Sequence, residues 1–336
     1  MSRNKRIIMV VCMNAIVILS LFILLEVCFR LFWRMKVLEG EIYQASKWKV
    51  LRYELKPKLD TMYQGYHVIT NSCGFRGREY AIQKPENVYR IVFLGDSVGF
   101  GRHLDASDTL AVLIENLLKR ECPQKTFEVL NFAVEGYNTQ QELEVLKEKA
   151  LLFNPDLVIL DYCFNDPEAP EFYFKKNFFI RHSQFAKYIA YCIKKRKVKA
   201  ERKRVGIESI SDDFKYLYKD CSDCWPNTKS ALLKMADITA ERNIRMVLLM
   251  NPEMSEDVKD FRDGYPYGYI NDMLKGLSHK NIIVIDPIEE FRDRNLNKID
   301  MNVGSYPNRK ANDIIAEYTV NKLRENKIIS CLQEAE

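Results

Sequence analysis

The pattern of apolar and polar positions changes character along the chain. Ile7 to Leu25 is an unbroken apolar run of nineteen residues, with Asn14 and Ser20 its only clearly polar members. As a helix it would span roughly 28 Å, enough for the hydrocarbon core of a bilayer. Arg3, Lys5 and Arg6 precede it, and Glu26, Arg30, Trp33 and Arg34 follow where interfacial charges and an aromatic belong. No small-residue cleavage site comes after it, and Val27 fills the position before Cys28 where lipoprotein processing needs a small residue. The run therefore reads as a retained signal anchor, residues 1–36, with a transmembrane helix over about 7–29.

Residues 37–87 are mixed and polar, with Pro57 and Pro85, and read as a linker and edge segment; Thr70 to Gly77 reads as an edge strand and turn. From residue 88 to about 330, short apolar runs alternate with helical periods. Ile91 to Leu94, rich in β-formers, stops abruptly at Gly95-Asp96-Ser97, as a buried parallel strand does. Further strands are expected over Phe127 to Ala133, Leu157 to Tyr162, Ile244 to Met250 and Ile282 to Ile285. Leu110, Leu113, Ile114, Leu117 and Leu118 have helical spacing within Asp108 to Arg120. Helices are also expected over Thr139 to Leu152, Thr228 to Arg242, between the last two strands, and over Pro307 to Glu325, with Pro307 in the first turn. Strands alternating with helices predict an α/β fold: a flavodoxin-like three-layer sandwich around a mainly parallel, five-stranded sheet.

Ligands of such sheets sit beyond the carboxyl ends of the strands. Three successive strand ends here carry Ser97, then Gly136 within Asn131-Phe-Ala-Val-Glu-Gly-Tyr-Asn-Thr139, then Asn165 within Cys163-Phe-Asn-Asp166. These blocks resemble the SGNH/GDSL hydrolase family, and the resemblance extends over roughly Asn71 to Lys322. It implies the SGNH hydrolase fold, Ser97 as nucleophile, and Gly136 and Asn165 as oxyanion-hole residues of an esterase or acyltransferase acting on O-acyl, for example acetyl, groups. It implies no cofactor and no metal. Membrane-anchored members associated with bacterial surface polysaccharides carry a segment like Thr70 to Gly77, which implies an acylated cell-surface carbohydrate as the substrate.

A serine hydroxyl needs a base, and the family supplies it from a last block, Asp-x-x-His, followed by Pro-Asn. Pro307-Asn308 aligns with that block, but Tyr306 stands in the histidine's place and Val303 in the aspartate's. Asp300 is three residues off register. Of four histidines, His279 belongs at the opposite end of the sheet, His67 to the edge segment and His182 to an insertion. His103, in the loop after Ser97, is the local substitute for the base, beside Tyr306 and Asp300. A tyrosine of ordinary pKa is a poor base at neutral pH, so Tyr306 is not expected to serve as one. The alternative function is an SGNH-like protein that has lost turnover and binds acylated glycan or a biosynthetic partner.

Composition narrows the remaining choices. A net charge of +5, with no zinc-finger spacing, P-loop or dinucleotide fingerprint, gives no reason to expect nucleic acid or a nucleotide as partner. Residues 168–226 form an insertion, placed over the mouth of the site, aromatic first and then basic over Lys194 to Arg204. That basic run is either a solvated face or a contact for anionic headgroups or an anionic glycan. Cys221 and Cys224 read as a local disulfide or as two ordinary thiols, and they lack the second pair a zinc site needs. The expected location is a single-pass membrane protein with its main domain outside the cytoplasm.

Overall fold

A computed structural model describes residues 3–32, 42–169, 183–262, 264–294 and 296–333. The chain divides into two compact units, 1–40 with 172–206, and 41–171 with 207–336.

The first unit contains one helix, Arg3–Phe32, long and apolar enough to cross a membrane, with its apolar side chains on the outside. It begins and ends beyond the expected 7–29; Trp33 and Arg34 lie outside the described residues. The second helix is Gln184–Arg204, the basic half of the expected insertion. Its aromatic half, Phe172 to Phe179, and His182 also lie outside the described residues. The start of this helix is fixed by Glu26 of the first. The Glu26 carboxylate accepts from Ser183 Oγ at 2.7 Å, Gln184 N at 3.0 Å and Phe185 N at 3.1 Å, and from Arg30 Nε at 2.7 Å. These are the amide groups a helix leaves without partners at its first turn. Phe185 packs edge-on between Phe22 and Phe29, and Tyr188 lies against Phe29.

The second unit is the α/β body. Its sheet contains β5 (Val88–Gly95), β6 (Thr126–Asn131), β7 (Leu157–Tyr162), β8 (Arg245–Met250) and β9 (Ile282–Ile285). All neighbours are parallel and the order is β6-β5-β7-β8-β9, the flavodoxin-like order that was expected. β7 is buried along its whole length, which explains why its sequence does not alternate. Helices Leu110–Glu121 and Arg309–Glu325 pack together, as do Thr139–Glu148 and Cys224–Ala240.

The boundaries moved for identifiable reasons. Pro307 is not in the last helix. It closes a two-residue hairpin, Asn302–Val303 with Tyr306–Pro307, and Asn308 is the N-cap, accepting from Ala311 N at 3.1 Å. Helix Thr139–Glu148 stops early, and a 3₁₀ turn, Ala150–Phe153, ends on left-handed Asn154. β6 ends at Asn131, two residues short of the expected Ala133, with Phe132 N still bonded to Phe93 O. The helix expected from Thr228 begins at Cys224, which is disulfide-bonded to Cys221.

Two devices fix the layers around the sheet. The last helix runs parallel to Leu110–Glu121 and is tied to it at both ends. Arg309 pairs with Asp108 at 2.6 Å, Arg324 with Glu121, and Cys122 is bonded to Cys331. The segment before β5 forms two hairpins, β1 (Tyr43–Ala45) with β2 (Tyr53–Leu55) and β3 (Asp60–Tyr63) with β4 (Tyr66–Ile69). Thr70 to Gly77 is a turn with isolated bridges rather than a strand, and Arg76 makes one of these bridges, antiparallel, to Asn131 at the sheet's edge. Its buried guanidinium donates to four carbonyls, those of Phe100, Gly101, Leu104 and His67. Burial lowers its pKa to about 10, so the group stays charged at neutral pH.

Arg76→Met is expected to leave several buried carbonyls without a donor and to cost about 3 kcal/mol or more. Arg76→Lys keeps the charge but not the fork, and is expected to fall between Met and wild type. The midpoint of urea unfolding measures both. Equal midpoints for wild type and Arg76→Met would contradict the assignment.

Candidate active site

The turn after β5 depends on close packing. A Cβ at Gly95 would sit 3.0 Å from Asp161 Cβ and 3.1 Å from its carbonyl on β7, so no side chain fits there. Asp96 follows as the N-cap of the short helix Ser97–Phe100, accepting from Val98 N at 2.9 Å. Its carboxyl, 1% exposed, is also the meeting point of two strand ends. Oδ1 accepts from Cys163 Sγ at 3.1 Å; Oδ2 accepts from Ser97 Oγ at 3.2 Å and from Asn165 Nδ2 at 3.3 Å. Ser97 and Asn165, far apart in sequence, are thus joined by one carboxyl. Gly136 lies in the turn after β6 with φ +75°, a conformation that favours glycine. Ser97, Gly136 and Asn165 are each partly exposed, whereas Asp96, Glu135, Tyr137, Phe164 and Asp166 beside them are buried.

The position where a histidine was expected holds Tyr306, and the structure brings its phenol within electrostatic reach of the Ser97 side chain. Arg102 Nη1 donates to Tyr306 Oη at 3.3 Å, and the guanidinium also lies 5.3 Å from the Tyr306 ring. Burial raises the Tyr306 pKa, against the opposing effect of Arg102, so the phenol keeps its proton at neutral pH. His103 packs edge-on against the Tyr306 ring, centroids 5.6 Å apart, in a left-handed backbone conformation. Burial, then Arg102, lowers its pKa, leaving a neutral imidazole. Asp300 is exposed and gives its carbonyl to Asn308 Nδ2, and Val303 is 39% exposed on the hairpin. His67 pairs with Asp60, and His279 precedes β9 at the amino end of the sheet and contacts Asp237.

Sequence reasoning did not anticipate Arg102 or the cage behind it. Arg102 Nε lies 3.5 Å from Glu135 Oε1. Glu135 also accepts from Tyr43 Oη at 2.5 Å and Tyr66 Oη at 3.4 Å, and its carbonyl accepts from Tyr53 Oη at 2.6 Å. Tyr137 Oη reaches back to the Tyr53 carbonyl. The two hairpins before β5 therefore hold both neighbours of Gly136. The density of tyrosines between residues 43 and 66 was the available signal.

Below Asp96 lie more carboxyls. Asp161 Oδ1 accepts from Asn251 beyond β8, and Asp166 Oδ2 accepts from Thr139 Oγ1 at 2.8 Å. Asp161 Oδ2, Asp166 Oδ1 and both oxygens of Glu142 are buried with no hydrogen-bond partner among the described residues. Burial raises the pKa of all three groups, and the neighbouring carboxyls add to it. Burial also raises Glu253 to about 7. Among the described residues no group of side chains is placed to hold a metal ion. A cavity of about 590 Å³ beside Lys84, Asp156 and Ile244 opens at the amino ends of β7 and β8, away from Ser97.

No family model and no curated protein matches this sequence. Among solved structures, the chain is similar to a two-domain esterase active on acetylated mannans, at 13% identity and a TM-score of 0.44. That match covers 72% of this chain, which spans half of the esterase's length. It is also similar to a lipolytic protein of the G-D-S-L family from Desulfitobacterium hafniense, at 14% identity and a TM-score of 0.40 over 69% of this chain and 98% of that one. An acetyl-xylooligosaccharide esterase from Geobacillus Stearmophilus matches at 12% identity and a TM-score of 0.46, over 70% and 94% of the two chains.

These carboxyls fix a pH dependence. Raised folded-state values mean that the native protein holds protons the unfolded chain releases, so stability is present below the unfolded carboxylate pKa and is lost as pH rises through the folded values. For Glu253 that window runs from the ordinary glutamate value of 4.5 to about 7. The urea midpoint is expected to fall between pH 5 and pH 8. Glu142→Gln, which cannot ionise, is expected to flatten the slope and to be more stable than wild type at pH 8 by about 1–3 kcal/mol. A midpoint that rises with pH over this range would refute the protonated cluster.

Proposed function

We propose that this protein is a membrane-anchored serine esterase or acyltransferase of SGNH type, acting on O-acyl groups of a cell-surface glycan. The observation that carries the reading is the joining of Ser97 and Asn165 through Asp96 at adjacent strand ends. In this reading Ser97 Oγ attacks the acyl carbon. The Asn165 amide and the Gly136 N–H donate to the oxygen on which charge develops, as preorganised oxyanion donors do. Tyr306, protonated and held by Arg102, is a donor facing Ser97 rather than its base. His103, neutral and packed against the Tyr306 ring, is in this reading the candidate acceptor of the serine proton. The anchor and the family resemblance support a surface glycan as the substrate. The Cys122–Cys331 and Cys221–Cys224 disulfides support a domain outside the cytoplasm, since such bonds persist in oxidising compartments.

The phenol in the imidazole's place favours a second reading, a binder of acylated glycan without turnover. Turnover of p-nitrophenyl acetate separates the two. For an enzyme, Ser97→Ala is expected to abolish it with the fold intact, and Asn165→Ala to slow it by about 10²–10³. Wild type no faster than Ser97→Ala establishes the binder. Tyr306→Phe is expected to change the rate by less than about tenfold, because a phenol that keeps its proton is no base. A larger loss would give Tyr306 a direct part in the chemistry.

The orientation has its own test. Protease added to intact spheroplasts is expected to digest the domain beyond residue 40; full protection would place it inside.

A further inference from the structure

Helix Gln184–Arg204 has two halves of different chemistry. Its first half meets the membrane-spanning helix: Ser183 and Gln184 at Glu26, Phe185 between Phe22 and Phe29, and Tyr188 at Phe29. All of these contacts lie in the last third of the apolar helix, from Phe22 to Phe29. At 1.5 Å per residue, Lys195 lies roughly 10 Å and Arg204 roughly 24 Å along the helix from Tyr188. The second half therefore begins where the apolar span gives out. There, eight of the eleven residues from Lys194 to Arg204 are Lys or Arg, against the single acid Glu201. Lys195, Arg196, Lys197, Lys199 and Lys203 are exposed. Ile189 and Ile193, one helical turn apart in the first half, are 42% and 50% exposed, apolar surface left uncovered by the described residues.

We infer that this helix is an interfacial element of the membrane anchor: its first half rests at the acyl boundary beside the spanning helix, and Lys194–Arg204 binds anionic phospholipid headgroups. Continuity with the spanning helix places the occupant, and charge selects it. A solvated helix would explain the basic half alone; a lipid surface accounts for the basic half and for the bare Ile189 and Ile193 together. Each basic side chain near an anionic surface contributes on the order of 1 kcal/mol, within a Debye length. Those of the eight that come within that distance would hold this helix at the bilayer regardless of whether Ser97 turns over.

The test uses the full chain in nanodiscs, of phosphatidylcholine alone or mixed with phosphatidylglycerol. Amide hydrogen exchange of peptides covering Lys194–Arg204 is the readout. Exchange is expected to be at least about tenfold slower in the anionic discs at low salt, the difference vanishing near about 0.5 M salt. A Lys195→Gln, Lys197→Gln, Lys199→Gln variant is expected to lose most of the difference while peptides from the sheet exchange as before. Equal exchange in the two discs overturns the proposal. So does protection by a soluble anionic polysaccharide in phosphatidylcholine discs with none from phosphatidylglycerol, which would assign the helix to a glycan.

Discussion

The candidate site depends on one buried carboxyl. Asp96 caps the helix that begins at Ser97, accepts the serine hydroxyl, and accepts from both Cys163 and Asn165 of the next strand end. A carboxyl without water must fill its lone pairs from the protein, and the donors available come from separate stretches of chain. Satisfying it therefore brings Ser97 and Asn165 together. Gly95 allows this by leaving no side chain between β5 and β7. The carboxyls beneath, held protonated by their burial, keep this floor from becoming a concentrated negative charge.

Around that floor the walls come from both ends of the α/β unit. The early hairpins deliver tyrosines to Glu135, and the turn that follows them delivers Arg76 to the loop after Ser97. The last helix, tied by ion pairs at each end and by Cys122–Cys331, positions the hairpin that carries Tyr306. Arg102 links the two walls, lying between Glu135 and Tyr306.

The legible parts were those written in local pattern. Short apolar runs ending in Gly-Asp-Ser or Cys-Phe-Asn gave the strands and the residues at their ends, because a buried parallel strand leaves both signals within a few residues. Helix starts were less legible, since a cap such as Asn308 or a disulfide such as Cys221–Cys224 decides them after the periodicity has been counted. Arg102 and the Glu135 cage were not legible, because their partners are a hundred or more residues away or in a segment without clear period. The vacant histidine position was visible in sequence, but the guanidinium that accompanies the tyrosine there was not.

The tie between the last helix and Leu110–Glu121 also sets an order of events. The serine strand leaves the ribosome early, with its strand partners close behind. Tyr306 and Cys331 follow only after β9, so the wall opposite Glu135 is the last to be built. Until that contact of large sequence separation closes, the nascent domain leaves Ser97, Gly136 and Asn165 without the wall that carries Tyr306, and the helix Leu110–Glu121 lacks its cover. Completion of the site and completion of the fold are then the same late event, and a chain stopped before its final helix would carry neither.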